Sequence, residues 1–321
     1  MIVFAVNVHT GGGKVLLDAL LTEQPLGPVS AAYLDARYVP PDSSGKANYR
    51  FFRPTVWERI KAQIELKKVN HDSSNQEPVL FFGNYPPFFK FRNKSIVYLQ
   101  NCFLLSSIPL PTDSIFEKIR NFAERVLLRV FSKNIDEIWV QTKWMQSITE
   151  IDFPKASILL KPFLPQFPAV PPKPKVYDFI SVTSESNHKN IRGILEALTV
   201  LDKKLNKKIK VCFVLSDGRC KNVARFIQSN PKNIVVEIKT KITRNDLFDL
   251  YTQSKTALIS SEFESFCLPL YEAHHYGLNI IVNDRPVFRE SPLVNCFVDF
   301  LSAEKTALAL EKEIQSATQK L

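Results

Sequence analysis

Glu264 and Glu272 are the pair whose residue type and spacing point most directly to chemistry. They lie in residues 257–290, ALISSEFESFCLPLYEAHHYGLNIIVNDRPVFRE, with seven residues between them. An apolar strand reads up to Ser260-Ser261, a short loop carries Glu264, and a helix beginning near Leu268 carries Glu272. A loop leaving the carboxyl end of a strand, followed by a helix with free backbone N–H groups, is a ready site for a diphosphate. A carboxylate in that loop can accept hydrogen bonds from sugar hydroxyls. A second carboxylate two turns into the helix can accept from the vicinal diol of a ribose. Acidic residues near a helix start are also stabilised by helix electrostatics alone, so the pair takes its meaning from its surroundings.

Those surroundings are alternating strands and helices. In the first half, strands read at Ile2–Val8, Val29–Leu34, Val79–Phe82, Ile96–Leu99 and Ile138–Gln141. Gly11-Gly12-Gly13 reads as a loop before a helical run from Val15 to Leu21. In the second half, strands read at Phe179–Val182, Lys210–Leu215, Asn233–Ile238, Ala257–Ser260 and Asn279–Val282. Helices lie between them at about 189–202, 220–229, 244–253 and 268–276. Continuous apolar strands separated by helices indicate parallel sheets covered on both faces.

Between the halves, Pro162 to Lys175 reads PFLPQFPAVPPKPK, six prolines in fourteen residues, which cannot continue a helix or a central strand. The expected organisation is an α/β chain of two Rossmann-like doubly wound domains, 1–165 and 177–302, joined by a linker at 166–176. An amphipathic helix, 303–321, closes it. Such domains are expected to face each other across a cleft between the carboxyl ends of their sheets, where ligands bind.

Composition narrows the partners. The 321 residues are 45% apolar and carry a formal net charge of +10, which favours anionic ligands or surfaces. Five scattered cysteines without a CxxC spacing argue against a zinc site or a disulfide framework and fit a reducing compartment. The first apolar run is too short for a signal peptide, and no stretch approaches the roughly 18 apolar residues that span a bilayer. The expected setting is cytoplasmic, with any membrane contact peripheral. No nucleic-acid motif accompanies the charge.

SSEFESFCLPLYEAHHYGLNIIV resembles the E-x7-E signature of family 4 of the retaining glycosyltransferases, which have the GT-B fold. ISVTSESNHKNIRGILEAL resembles the family's first strand, loop and helix of the second domain, and NIVVEIKTKITRNDLFDLYTQSKTALISS the segment leading into the motif. WVQTKWMQ and VNVHTGGGKVLLDALL resemble first-domain landmarks of polysaccharide and O-antigen members. The resemblance implies a nucleoside-diphosphate sugar as donor, with Glu264 on its sugar hydroxyls and Glu272 on its ribose. It places Ser265, Phe266, Cys267 and Leu268 against the diphosphate and sugar, and His188 and Asn190 beside them. Lys189 would neutralise the diphosphate as it leaves. Asn101 or Gln100 stands where many members have a histidine, and Asn101 is assigned to catalysis. Gly12 and Gly13 are expected to face the donor diphosphate or the acceptor. The family usually has glycines at the positions of Ser265 and Cys267 and often an arginine after the first strand of the second domain. ISVTSES has none, so Arg219 or Lys221 is expected to help Lys189.

The implied reaction is hexosyl transfer with retention and without metal or other cofactor. The acceptor hydroxyl attacks the face from which the nucleoside diphosphate leaves, and a phosphate oxygen takes its proton. The implied acceptor is a glycan or lipid-linked oligosaccharide in bacterial surface-polysaccharide (O-antigen, capsule or lipopolysaccharide) synthesis. His9 is an alternative acid–base candidate. Other readings are a catalytically inactive GT-B relative acting as a binding or scaffold partner, or a sugar-nucleotide epimerase.

Residues 114–134, SIFEKIRNFAERVLLRVFSKN, form a basic amphipathic pattern with two open readings. The helix covers the sheet with a solvated charged face, or it makes peripheral contact with the anionic cytoplasmic face of the inner membrane. Phe81 and Phe82 read as core. Phe88, Phe89 and Phe91 read either as core or as a surface for lipid or acceptor sugar.

Overall fold

The computed structural model describes residues 1–42, 47–72, 77–110, 114–216 and 218–319, and the side chains of 70–72 and 317–319 fall outside that description. Lys320 and Leu321, the last residues of the expected closing helix, are likewise outside it. The chain divides into two compact units, Met1–Gln166 and Phe167–Leu321. The division falls inside the proline-rich stretch, where missing N–H donors and fixed φ angles prevent a shared helix or ladder.

The first unit runs β1 (Ile2–Ala5), α1 (Gly11–Thr22), β2 (Ala31–Asp35), β3 (Asn48–Phe52), α2 (Val56–Asp72), β4 (Val79–Phe82), β5 (Ser95–Tyr98), α3 (Ile115–Val130), β6 (Glu137–Val140), α4 (Lys143–Asp152) and β7 (Ser157–Leu160). Its seven strands are parallel in the order β3-β2-β1-β4-β5-β6-β7. The central strands are buried throughout, and Phe4 packs on Phe81 with ring centroids 5.3 Å apart. Leu17 and Leu20 seal α1 onto this core, each contributing roughly 1.5–3 kcal/mol of burial.

The second unit runs β8 (Tyr177–Thr183), α5 (Ile191–Asp202), β9 (Ile209–Leu215), α6 (Lys221–Gln228), β10 (Ile234–Thr240), α7 (Arg244–Thr252), β11 (Ser254–Ile259), α8 (Leu268–His275), β12 (Asn279–Asn283), α9 (Pro286–Arg289), β13 (Cys296–Val298) and α10 (Ala303–Gln319). Its six strands are parallel in the order β10-β9-β8-β11-β12-β13. One core gathers Phe179, Phe213, Leu258, Ile281 and Phe300 with α5 and with Ala307, Leu310 and Ile314 of α10. Gly193 lets α5 approach that layer, because a Cβ there would lie 2.4 Å from the Phe300 carbonyl oxygen.

Two findings differ from the sequence reading, and a third decides between alternatives it left open. Strands β3, β7 and β13 sit at or next to sheet edges and are too short or too polar to show an apolar run. Gly11-Gly12-Gly13 is the first turn of α1, not a loop. The first N–H groups of a helix lack intrahelical partners anyway, and the buried run Leu16 to Leu21 holds the helix in place. Of the aromatic stretch, Phe91 is buried against Phe81, and Phe88 packs on Phe131 at 5.0 Å. Phe89 is half-buried, with the Lys67 ammonium 5.3 Å from its ring.

Candidate functional site

Strand order in the second sheet reverses between β8 and β11, and the loops leaving these two strands meet at the carboxyl edge. After β8, a 3-10 turn at Asn187–Lys189 leads to Asn190, whose left-handed φ of 47° and side chain cap α5 by accepting from the Gly193 N–H. After β11, the chain runs from Ser260 to Cys267, which sits at the head of α8 with φ 65°. The left-handed region is costly for a residue with a Cβ, which is the physical reason a glycine suits this position.

Hydrogen bonds stitch the two loops together. The Ser260 hydroxyl donates to the Lys189 carbonyl at 2.7 Å, and the Glu262 N–H donates to the His188 carbonyl at 2.7 Å. Asn283, fully buried at the end of β12, donates to the Ser260 and Ser261 carbonyls at 3.1 and 3.3 Å. Arg285 forks onto Glu262 Oε2 at 2.9 and 2.6 Å, and Asn190 Nδ2 donates to Glu262 Oε1 at 3.2 Å. Glu262 thereby fixes both loops.

On this frame Lys189 Nζ donates to Glu264 Oε1 at 2.6 Å, with both side chains partly open to solvent. A small recess at the switch point is lined by Thr183, Ser260, Ser261, Glu264, Cys267 and Pro269. Arg219 Nη2 donates to the Ser186 hydroxyl at 3.2 Å, which brings a guanidinium from the loop after β9 to the loop after β8. Burial, and then the charge of Glu264, push the Cys267 thiol well above its ordinary value, so it stays neutral.

Glu272 is only 1% exposed. Arg244 Nη1 donates to its Oε1 at 2.7 Å, and the buried Tyr251 hydroxyl donates to its Oε2 at 2.9 Å. Burial and the Glu272 carboxylate hold the Tyr251 phenol well above its usual value, which keeps it a donor. Of the residues expected here, Lys189, Glu264, Cys267, His188 and Asn190 share the two loops, with Ser265 and Phe266 buried in the second and Leu268 opening α8. Glu272 stands behind them, tied into α7.

Sequence reasoning missed Glu262, Arg285, Arg244 and Tyr251. The polar run Asn283-Asp284-Arg285 directly after an apolar strand was the available signal for Arg285. Nothing local marked Glu262 or Tyr251.

The carboxyl edge of the first sheet was expected to carry Gly12, Gly13 and Asn101. Gly12 and Gly13 lie in the first turn of α1, and a Cβ on Gly13 would sit 3.3 Å from Gln100 Oε1. Asn101 spends its side chain on the fold: Oδ1 accepts from the Phe103 N–H at 3.0 Å, and Nδ2 donates to Asn121 Oδ1 at 3.2 Å. Asn84, with φ 73°, accepts from the backbone N–H groups of Gln100 and Asn101. His9 Nδ1 lies 4.0 Å from the buried Asp35 carboxylate, which Arg37 grips with two bonds. Among the described residues, no three His, Cys, Asp or Glu side chains gather as a metal site would require.

Residues 165–319 match the family described as Glycosyl transferases group 1. The match takes in nearly all of the second unit. No curated protein is significantly similar to the chain in sequence. Among solved structures, HepE of Anabaena bound to UDP-glucose is 10% identical with a TM-score of 0.66, over 99% of this chain and 90% of that one. The lipopolysaccharide outer core galactosyltransferase WaaB, in its apo form, is 12% identical with a TM-score of 0.63, over 98% and 90%. The N-terminal domain of Candida albicans trehalose-6-phosphate phosphatase is 9% identical with a TM-score of 0.66, over 98% and 88%. At such identities the likeness is one of fold, and the fold is GT-B. The second unit thus has its two E-x7-E glutamates in two settings, Glu264 on a partly solvated loop and Glu272 in the packed interior.

Proposed function

We propose that the protein transfers a sugar from a nucleoside-diphosphate sugar to a glycan or lipid-linked oligosaccharide, with retention at the anomeric carbon and without a metal. The observation that carries this reading is the Lys189–Glu264 pair at the switch point of a unit that matches the group 1 glycosyltransferases. A donor diphosphate laid along the head of α8 would draw the Lys189 ammonium away from Glu264 and release that carboxylate for the sugar hydroxyls. Arg219 would add a second positive charge from the loop after β9. As the bond between the anomeric carbon and the diphosphate breaks, the acceptor oxygen bonds to the same face and its proton passes to a phosphate oxygen. Preorganised cations act where this charge develops. Glu272 would meet the ribose on the side it shares with Arg244. HepE and WaaB support a uridine donor and a role in bacterial surface-glycan synthesis, since one is bound to UDP-glucose and the other is a lipopolysaccharide galactosyltransferase.

The test is thermal unfolding with a panel of UDP-, GDP-, ADP- and dTDP-sugars, with and without EDTA, on wild type, Lys189→Ala and Glu264→Gln. A ligand at 100 times its dissociation constant adds about 2.7 kcal/mol to the folded state. Stabilisation by one nucleotide family, insensitive to EDTA and weakened in both variants, is expected. Stabilisation by none of them overturns the donor assignment. Binding without turnover on any lipid-linked or glycan acceptor favours an inactive relative.

A further inference from the structure

Helix α3 turns its apolar stripe outward. Ile115, Phe116, Ile119, Phe122, Val126 and Val130 are 78, 73, 63, 57, 42 and 58% exposed. At about 100° per residue they share one face over four turns. A helix on a globular surface ordinarily buries such a stripe in the core. Here the opposite side does the anchoring. Asn121 and Leu128 are buried, Asn121 accepts from Asn101, and Arg125 Nη2 donates to the Phe103 and Ile108 carbonyls at 2.7 and 2.9 Å. Ser114 caps the helix by accepting from the Glu117 N–H.

The charges are sorted around the stripe. Lys118 and Arg129 border one side of it and Arg120 the other, and all three are exposed, with the Arg129 guanidinium also 3.6 Å from the Asp152 carboxylate. Glu117 and Glu124 fall on the far side, where Glu124 lies beside Arg120 and Arg59 of α2. Val56 and Trp57, at the start of α2, are 67 and 80% exposed. An exposed indole suits the boundary between headgroups and acyl chains.

We propose that α3 docks the protein on an anionic lipid bilayer, lying in its plane. The apolar stripe enters the acyl boundary, while Lys118, Arg120 and Arg129 reach lipid phosphates. Basic residues on both flanks of an apolar face match this geometry. A second copy of the chain fits less well, because an antiparallel pairing of two such faces sets basic flank against basic flank with the carboxylates turned away. The Asn121–Asn101 bond ties the docked helix to the loop after β5. The bilayer thereby lies beside the carboxyl edge of the first sheet, where a lipid-borne acceptor would be presented. This inference goes beyond the donor reading and does not depend on it.

The experiment is co-sedimentation of the full chain with vesicles of phosphatidylcholine alone and of phosphatidylcholine with 30% phosphatidylglycerol, a composition of roughly physiological charge. The variants are Ile119→Ser/Phe122→Ser and Lys118→Glu. All three side chains are exposed, so circular dichroism, melting temperature and nucleotide-induced stabilisation should match wild type. Wild type should bind the anionic vesicles and release at high salt, with at least tenfold weaker partition in each variant. Equal partition of wild type and variants, or no binding to anionic vesicles, overturns the proposal. A lipid-free dimer that the serine variant converts to monomer also overturns it, and makes the stripe a self-association face. Because nucleotide binding is read separately, failure of docking is distinguishable from failure of the donor site.

Discussion

Lys189 Nζ donates to Glu264 Oε1 at 2.6 Å across 75 residues of sequence, joining the loop after β8 to the loop after β11. Both side chains keep access to water, so the pair adds little to stability, about 1 kcal/mol or less. Lys189→Ala and Glu264→Gln should therefore unfold in urea close to wild type. Each should weaken donor affinity tenfold or more, which is about 1.4 kcal/mol. Calorimetric titration with the stabilising nucleotide-sugar, set beside urea unfolding, checks this. A variant that loses several kcal/mol of stability while keeping donor affinity would make the pair structural.

Glu272 behaves differently because it is buried. Removing its carboxylate strands the buried Tyr251 hydroxyl and leaves the partly exposed Arg244 guanidinium to water, and a buried partner left unpaired costs roughly 1–3 kcal/mol. Glu272→Ala should lower the melting temperature of the ligand-free protein, which Glu264→Gln should not. Tyr251→Phe, which removes one donor and leaves the carboxylate, should cost about half as much. Differential scanning calorimetry without nucleotide separates the two glutamates. Equal melting temperatures for both Glu variants would contradict the buried network.

Backbone geometry sets a further contrast. Cys267 holds φ at 65°, a conformation costing an L-residue roughly 1–2 kcal/mol that glycine escapes. Cys267→Gly loses a small buried side chain worth about 1 kcal/mol, so its stability should stay within about 1 kcal/mol of wild type. Cys267→Ala keeps the strain and should be the less stable of the two. Gly193→Ala faces the Phe300 carbonyl at 2.4 Å and should cost about 1–3 kcal/mol. Chemical unfolding of the three variants ranks them, and an alanine at 193 as stable as wild type would refute the close approach.

Acid stability should depend on Asp35. Burial pushes its carboxyl up, but the hydrogen bonds and charge of Arg37, with His9, outweigh burial and hold it below its ordinary value. A depressed native value means the stabilisation is present above the unfolded value of about 4. It is lost as pH falls through the native value. Glu137 follows the same sign: burial raises its carboxyl, and Lys94 and Trp139 bring it below the ordinary value. Asp35→Asn should lower stability at pH 7 by on the order of 1 kcal/mol and flatten the acid limb below pH 4. Urea midpoints between pH 2.5 and 7 measure it. An unchanged acid limb in the variant would show that Asp35 titrates normally.

The sequence by itself determined the elements that local periodicity encodes. Buried strands such as Val79–Phe82 and Lys210–Leu215 are continuous apolar runs, and α5, α7 and α8 follow from their apolar spacing and capping residues. The alternation of these elements implied two parallel sheets, and the proline-rich stretch implied a break between them. The E-x7-E spacing marked the loop and helix that carry Glu264 and Glu272.

Only the tertiary structure decided which side chains meet. Glu262 gains its role from Arg285, Asn190 and Asn283, and Glu272 from Arg244 and Tyr251, partners 21 to 72 residues away. No local pattern encodes such pairs, because they arise where strand order reverses and distant loops share one sheet edge. Residues 114–134 make the same point. Their sequence shows an apolar face and a basic one, but periodicity cannot say which face the fold covers. The anchoring of Asn121, Arg125 and Leu128 settles it, and leaves Ile119 and Phe122 facing outward.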